Sequence, residues 1–177
     1  SANSLSWAAT PGLNYFDIGA YEFQGDSSDV APPTVTGISQ LPASGGSTAL
    51  AFSSVQVSFS ESLDGISARS PANYELLFAG ADGVLDTPDD VEIGLTPAYS
   101  FPETNLTLEF LTGPNGTPGM LAEGDYRLTL RGDNVATSEP EGVFDLSGNA
   151  LDGNGADPGG GDYVRLFTID RSTNVAP

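Results

Sequence analysis

Apolar and polar side chains alternate most clearly in Val55-Gln56-Val57-Ser58-Phe59-Ser60. In an extended chain, successive side chains point to opposite faces, so Val55, Val57 and Phe59 share one face and polar groups occupy the other. A helix would place its apolar side chains three to four residues apart, whereas here every second residue is apolar. The segment therefore predicts a β-strand with one face in a core and the other in water.

The same alternation recurs from Thr34 onward. Six further segments carry it, each bounded by Gly, Pro, Asn or Asp: 35–41, 74–78, 91–95, 106–110, 126–130 and 163–169. Helical periodicity is nearly absent, with one candidate turn at 67–73, where Pro71 suits a first helical position. About seven short strands separated by turn signals predict an all-β fold, an antiparallel β-sandwich. Its predicted core comprises Val57, Phe59, Tyr74, Leu76, Leu108, Phe110, Tyr126, Leu128, Leu166 and Phe167.

Acidic residues dominate the charge of the chain. There are 24 Asp and Glu against 5 basic residues, all of them Arg, and the net charge is −19. Such a field repels phosphate backbones and anionic lipid, which argues against nucleic-acid binding and membrane insertion. It attracts divalent cations, and it also suits a protein that works in high salt or one that only needs solubility.

The residue types that are missing bound the chemistry. The chain has no His and no Cys, so the commonest general base, the thiol nucleophile, disulfides and thiolate metal sites are all excluded. No Gly-x-Ser-x-Gly elbow or phosphate-binding loop occurs, and no apolar run approaches the ~18 residues of a membrane span. The sequence therefore predicts a protein that is not an enzyme.

Composition divides the chain into four parts. Residues 1–25 hold the only Trp and a short apolar run, and residues 26–33 end in Pro-Pro, which forces an extended backbone. We expect an N-terminal arm at 1–25 that is the tail of a preceding domain, a linker at 26–33, the sandwich at 34–170 and a C-terminal linker at 171–177. The arm is too short for a core of its own, so it is expected to dock on the sandwich. Exchange with a second copy and contact with an absent domain are the alternatives.

Four motifs resemble those of bacterial immunoglobulin-like domains of the S-layer type. They are Val55-Gln56-Val57-Ser58-Phe59-Ser60-Glu61-Ser62-Leu63-Asp64, Asn73-Tyr74-Glu75-Leu76, Gly124-Asp125-Tyr126-Arg127-Leu128 and Asp145-Leu146-Ser147-Gly148-Asn149-Ala150-Leu151-Asp152. The resemblance implies an immunoglobulin-like sandwich with long acidic loops, serving as a structural or adhesive module of a secreted bacterial surface protein. It also implies an extracellular or cell-surface location, with neighbouring domains of the parent chain and a cell-surface glycan or protein as partners. Separately, Phe16-Asp17-Ile18-Gly19-Ala20-Tyr21-Glu22 is similar to the closing segment of right-handed parallel β-helix domains.

Two acidic loops are candidate calcium sites, because Ca²⁺ takes six to eight oxygen ligands from carboxylates, carbonyls and water. The candidate ligands of the first loop are Asp82, Asp86, Asp89 and Asp90. Those of the second are Asp145, Asn149, Asp152, Asn154, Asp157 and Asp162, interleaved with glycines that let backbone carbonyls turn inward. The first loop lacks EF-hand spacing, since Val84 and Ile93 stand where that pattern needs ligands. For both loops the alternative is a solvated acidic turn.

A carbohydrate-binding module is the alternative function. Such modules present exposed aromatic rings to sugars, often on a β-sandwich. The candidate rings are Trp7, Tyr15, Tyr21, Tyr99 and Phe101, and the alternative, which is more common for such rings, is that they cap the ends of the sandwich.

Overall fold

The computed structural model describes residues 29–132, 142–155 and 160–172. In these ranges the chain forms nine strands: β1 (Val35–Ile38), β2 (Gly46–Thr48), β3 (Ser54–Phe59), β4 (Tyr74–Phe78), β5 (Val91–Ile93), β6 (Leu95–Tyr99), β7 (Asn105–Phe110), β8 (Gly124–Leu130) and β9 (Tyr163–Ile169). The helical elements of these ranges are one turn of α-helix, α1 (Gly65–Ala68), and 3-10 turns at Pro71–Asn73 and Pro114–Gly116. No helix in the described ranges is long and apolar enough to cross a membrane. The arm at 1–25 lies outside them, so its docking and its likeness to a β-helix stay predictions.

The strands form two sheets, with the orders β1-β3-β7-β6 and β2-β9-β8-β4-β5. Neighbouring strands are antiparallel, except that β2 runs parallel to β9. An immunoglobulin domain places its strands A, B, E and D in one sheet and G, F and C in the other. In chain order, β1, β3, β7 and β6 correspond to the first set, and β9, β8 and β4 to the second. The predicted immunoglobulin-like sandwich is confirmed, with β2 and β5 as additional edge strands.

The structure has two strands more than the seven that the sequence predicted. The alternation over 91–95 predicted a single strand, but β5 and β6 belong to different sheets and the chain crosses between them at Gly94. The other unexpected strand, β2, reads Gly-Ser-Thr and so has no apolar alternation to reveal it. It is defined by backbone pairing of Gly46 with Phe167 and of Thr48 with Ile169.

The core lies between the two sheets, where inward side chains interdigitate. Nine of the ten predicted core residues are buried, and the exception is Leu166, which is 41% exposed. Cross-strand partners share a face of the sheet. Phe167 pairs with the buried Tyr126 and stacks on it, with 5.3 Å between ring centroids, whereas Leu166 pairs with Arg127 on the outer face. The prediction for Leu166 was therefore wrong by one residue of register.

The chain reaches and leaves the sandwich at opposite poles. At what we call the N-terminal pole, the Asp152 amide donates to the Pro33 carbonyl (2.9 Å), next to the start of β9. At the C-terminal pole, the last residue of β9, Ile169, pairs with Gly124 at the start of β8. The acidic loop 82–90 follows β4 at the C-terminal pole, and the loop that contains Asp145 lies at the N-terminal pole. The two predicted metal sites are thus at opposite ends of the molecule.

Candidate metal centre

Three of the four carboxylates predicted in the 82–90 loop turn towards one hydroxyl group. Thr87 Oγ1 lies 2.8 Å from Asp89 Oδ1 and 3.4 Å from Asp90 Oδ1. The same oxygen lies 3.5 Å from Asp82 Oδ1 and 3.0 Å from the Val84 carbonyl. A hydroxyl has a single proton, so Thr87 can satisfy one of these four acceptors at a time.

Backbone amides offset much of the repulsion in this loop. Asp89 Oδ2 accepts from the amides of Ala81 (2.8 Å) and Asp82 (3.2 Å). The hydrogen bond from Thr87, followed by those two amides, holds the pKa of Asp89 below its usual range. These donors therefore favour the ionised form of the Asp89 carboxylate.

Asp86 turns away from the other three carboxylates. Arg127 Nη1 lies 2.9 Å from Asp86 Oδ1, on the outer face of the second sheet. The Asp86 side chain is largely exposed, so this ion pair contributes little to stability. The structure thus brings together Asp82, Asp89 and Asp90 of the first predicted set, and not Asp86.

In the second predicted set, Asp145 organises a tight turn. Its Oδ1 accepts from the amides of Ser147 (2.8 Å) and Asn149 (2.7 Å), and its Oδ2 accepts from Asn149 Nδ2 (2.7 Å). Gly148 adopts a φ of +87° in this turn, a conformation that favours glycine. Asp145 is only 2% exposed, so its carboxylate is held in one position by these donors.

The other predicted ligands of this set serve separate turns. Asp152 Oδ1 accepts from the Gly155 amide (2.8 Å), and Asp162 Oδ1 accepts from the Gly132 amide (3.0 Å). Asn154 lies over Gly161, where any Cβ would collide with its side chain. Asp157 lies outside the described residues. The structure therefore does not gather the described carboxylates of this loop around one point.

Instead, Asp145 meets two carboxylates from other parts of the chain. Oxygen atoms of Asp29, Glu61 and Asp145 lie within 4.8 Å of one another. In the described ranges, no other set of three acidic residues is so closely spaced. Asp29 belongs to the predicted linker, and Glu61 follows β3. Burial, followed by repulsion from Asp145 and then Asp29, raises the pKa of Glu61 above its usual range. We call these three residues the N-terminal carboxylate cluster.

Asn149 joins this cluster to the linker. Its Nδ2 donates to Asp145 Oδ2 and lies 3.2 Å from the Asp29 carbonyl and 3.3 Å from the Ala31 carbonyl. Two amide hydrogens thus face three acceptors, which fixes the backbone of the linker against the Asp145 turn. Asn149 was predicted as a metal ligand, and in the structure its amide group faces carbonyl and carboxylate oxygens as a donor.

Of the candidate sugar-binding aromatic residues, Tyr99 and Phe101 lie in the described ranges, and they differ in exposure. Tyr99, one of the candidate sugar platforms, is buried, which contradicts its predicted role. Its side chain faces the core from β6, and its hydroxyl accepts from the Leu63 amide (2.9 Å). Phe101 is 45% exposed and remains a candidate. Trp7, Tyr15 and Tyr21 lie outside the described residues, so the carbohydrate alternative stays a prediction for them.

Neither a known protein family nor a curated protein matches the sequence. Among solved structures, surface layer protein SbsC, domains 1–6, has 13% identity and a TM-score of 0.45, over 79% of this chain and 14% of that one. The N-terminal part of the bacterial S-layer protein SbsC has 14% identity and a TM-score of 0.44, over 79% and 24%. PcoC, a methionine-rich copper resistance protein from Escherichia coli, has 16% identity and a TM-score of 0.48, over 79% and 100%. The chain thus spans well under two thirds of the SbsC structures, and likeness at this level assigns no function.

Proposed function

We propose that the chain is a non-catalytic structural or adhesive module of a secreted bacterial surface protein, acting as a spacer between neighbouring domains. The observation that carries this proposal is that the described chain enters the sandwich at one pole and leaves it at the other. Modules joined through such poles follow one another end to end, so each adds its own length to a stalk. The lack of His and Cys and the strongly acidic surface also favour a spacer over a catalyst.

A spacer requires a fixed distance between its ends, and this can be measured directly. The chain has no cysteine, so Val30→Cys and Ser172→Cys, both at exposed positions, accept spin labels at these sites alone. The seven residues of β9 at ~3.3 Å each separate the poles by more than ~20 Å. Double electron–electron resonance should give one narrow distance distribution above that value. A broad distribution would contradict the spacer proposal.

We further propose that calcium stabilises the N-terminal pole through the N-terminal carboxylate cluster. Three carboxylates whose oxygens lie within 4.8 Å of one another repel, and a divalent cation converts this repulsion into attraction. Carboxylate oxygens are also the ligands that calcium prefers. Because Asp29 lies in the linker while Glu61 and Asp145 lie in the sandwich, an ion here would tie the linker to the module.

The acidic loop 82–90 at the C-terminal pole is a weaker candidate for calcium binding. There, hydrogen bonds lower the pKa of Asp89, whereas in the N-terminal carboxylate cluster burial and repulsion raise the pKa of Glu61. A group with a raised pKa is in an environment that opposes its charge, so it gains more from a cation than a group that donors already satisfy. Calcium at Asp82, Asp89 and Asp90 therefore remains the weaker proposal.

Calcium titration calorimetry of the full chain tests the site. Extracellular calcium modules bind with dissociation constants of about 10⁻⁴–10⁻³ M, and we expect one site in this range. Glu61→Gln should abolish it. Asp86→Asn also removes one negative charge, but at the opposite pole, and should leave binding intact. If both variants weaken binding equally, calcium binding depends only on the net charge of the protein, and the proposed location of the site is wrong.

A further inference from the structure

An open groove lies on the N-terminal pole. It has a volume of about 410 Å³, and Ile66, Ala72 and Phe144 contribute its apolar lining, with Arg131 among its other residues. Ile66 is 85% exposed although it is a large aliphatic residue. It is held in this position because Asp64 caps α1, accepting from the Ser67 amide (2.8 Å). Among the described residues, the groove is therefore a partly apolar surface on which Ile66 is exposed.

The chain that precedes the sandwich arrives beside this groove. The Asp64 amide donates to the Phe144 carbonyl (2.8 Å), and Phe144 is followed directly by Asp145, which belongs to the N-terminal carboxylate cluster. Asp29 belongs to the same cluster, and Asn149 lies against its carbonyl. The linker backbone is thus fixed next to the groove, with exposed Val30 on the same pole.

Residues 1–25 supply side chains that fit an apolar groove. Phe16, Ile18, Tyr21 and Phe23 fall within eight positions, yet so short a segment cannot build a core of its own. Phe23 precedes Asp29 by six residues, which in extended form reach about 20 Å. Because Asp29 meets Asp145, the residue next to Phe144, a segment of this length places Phe23 within reach of the groove.

We propose that residues 16–23 dock their apolar side chains into the groove formed by Ile66, Ala72 and Phe144 of the same molecule. This docking places the segment that precedes the sandwich in one orientation on the N-terminal pole. It does not depend on calcium, since the contacts are apolar, and it adds a second attachment to the hydrogen bonds that Asn149 offers the linker.

The single tryptophan makes this docking measurable. Combining Trp7→Phe with Phe23→Trp moves the only tryptophan to the end of the segment nearest the linker. In the full chain we expect acrylamide to quench this tryptophan several-fold less efficiently than free indole, with blue-shifted emission. Adding Ile66→Glu should restore quenching and shift the emission to longer wavelength. The matched control is Leu50→Glu, an exposed aliphatic residue near the C-terminal pole, which should change neither.

Three outcomes would overturn the proposal. If the tryptophan of the Trp7→Phe/Phe23→Trp variant is quenched as efficiently as free indole, the segment does not dock. Equal effects of Ile66→Glu and Leu50→Glu would place the contact elsewhere. Protection that rises with protein concentration would identify a second copy as the occupant. Equal melting temperatures of the two Glu variants exclude unfolding as the cause of a difference.

Discussion

Leu166 and Phe167 are adjacent on β9, but only Phe167 lies in the core, because the register with β8 sends Leu166 to the outer face. The outward position of Leu166 can be tested by comparing its substitution with that of a core residue. Phe110 is buried and packs against Phe52, with 6.0 Å between ring centroids. We expect Phe110→Ala to lower the free energy of unfolding by ~3–5 kcal/mol, and Leu166→Ala by less than ~1 kcal/mol. Urea unfolding with unchanged m-values measures both, and equal losses would contradict the register.

Tyr126 gives a prediction at alkaline pH. Its hydroxyl donates to the Ala122 carbonyl (3.0 Å), and burial raises its pKa to about 12. In the unfolded chain a tyrosine ionises near pH ~10, so between ~10 and ~12 the unfolded state has released a proton that the folded state retains. Stability is therefore complete below pH ~10 and falls as pH rises towards ~12. Tyrosinate absorbance should show this late ionisation in the folded protein, and Tyr126→Phe should reduce the alkaline loss of stability. Identical titration curves in buffer and in urea would contradict it.

The N-terminal carboxylate cluster shows how far single residues can be interpreted from sequence. Asp145 was identified as a candidate because acids and glycines crowd the positions after it. Asp29 and Glu61 were missed, since each has only one other acid close to it in sequence, Asp26 and Asp64 respectively. Their meeting depends on the linker passing the end of β3, which is a property of the tertiary fold. Local composition could therefore indicate one member of the cluster, but not the other two.

In the loop that joins β4 to β5, substitution of two glycines distinguishes the cost of backbone strain from the cost of a steric clash. Gly80 and Gly83 both have positive φ, +62° and +70°. A Cβ on Gly80 would lie 2.4 Å from the Asp89 carbonyl oxygen, whereas one on Gly83 would meet only Asp125 Oδ2, at 3.9 Å. Ala at Gly83 should cost ~1–2 kcal/mol from backbone strain alone. Gly80→Ala should cost clearly more in urea unfolding, because the clash with Asp89 adds to the same strain. Equal losses of unfolding free energy in the two variants would show that the loop shifts to relieve the clash with Asp89.

The elements that sequence predicted well are those defined by their side chains. Alternating apolar residues gave β3, β4, β7 and β8, because one face of each strand packs into the core. The pattern failed at β2, which is held by backbone pairing along the edge of a sheet, and at Gly94, where a continuous alternation hides a change of sheet. Backbone pairing leaves no trace in side-chain periodicity, so these features require the structure.

At the scale of the whole molecule, charge opposes the compact state. With 24 acids and 5 bases, the folded chain repels itself, and any salt relieves this by screening over ~8–10 Å at physiological strength. Sodium chloride should therefore raise the melting temperature to some extent whatever calcium does. A specific site adds to this by mass action, about 2.7 kcal/mol at ~100 times its dissociation constant. In a chain of this size each kcal/mol raises the melting temperature by about 2–4 °C.

We therefore expect calcium chloride to raise the melting temperature of the full chain by ~5 °C or more beyond sodium chloride of equal ionic strength, and EDTA to reverse the increment. Glu61→Gln separates the site from the overall charge. Without calcium this variant should melt higher than the parent, because it removes a carboxylate whose pKa is raised by burial and by its acidic neighbours. With calcium it should gain no more than the sodium control, since a ligand is lost. Asp86→Asn, at the other pole, should keep the calcium increment. Coinciding melting curves in calcium and salt-matched sodium would show that the N-terminal carboxylate cluster is a solvated acidic group and that the calcium proposal is wrong.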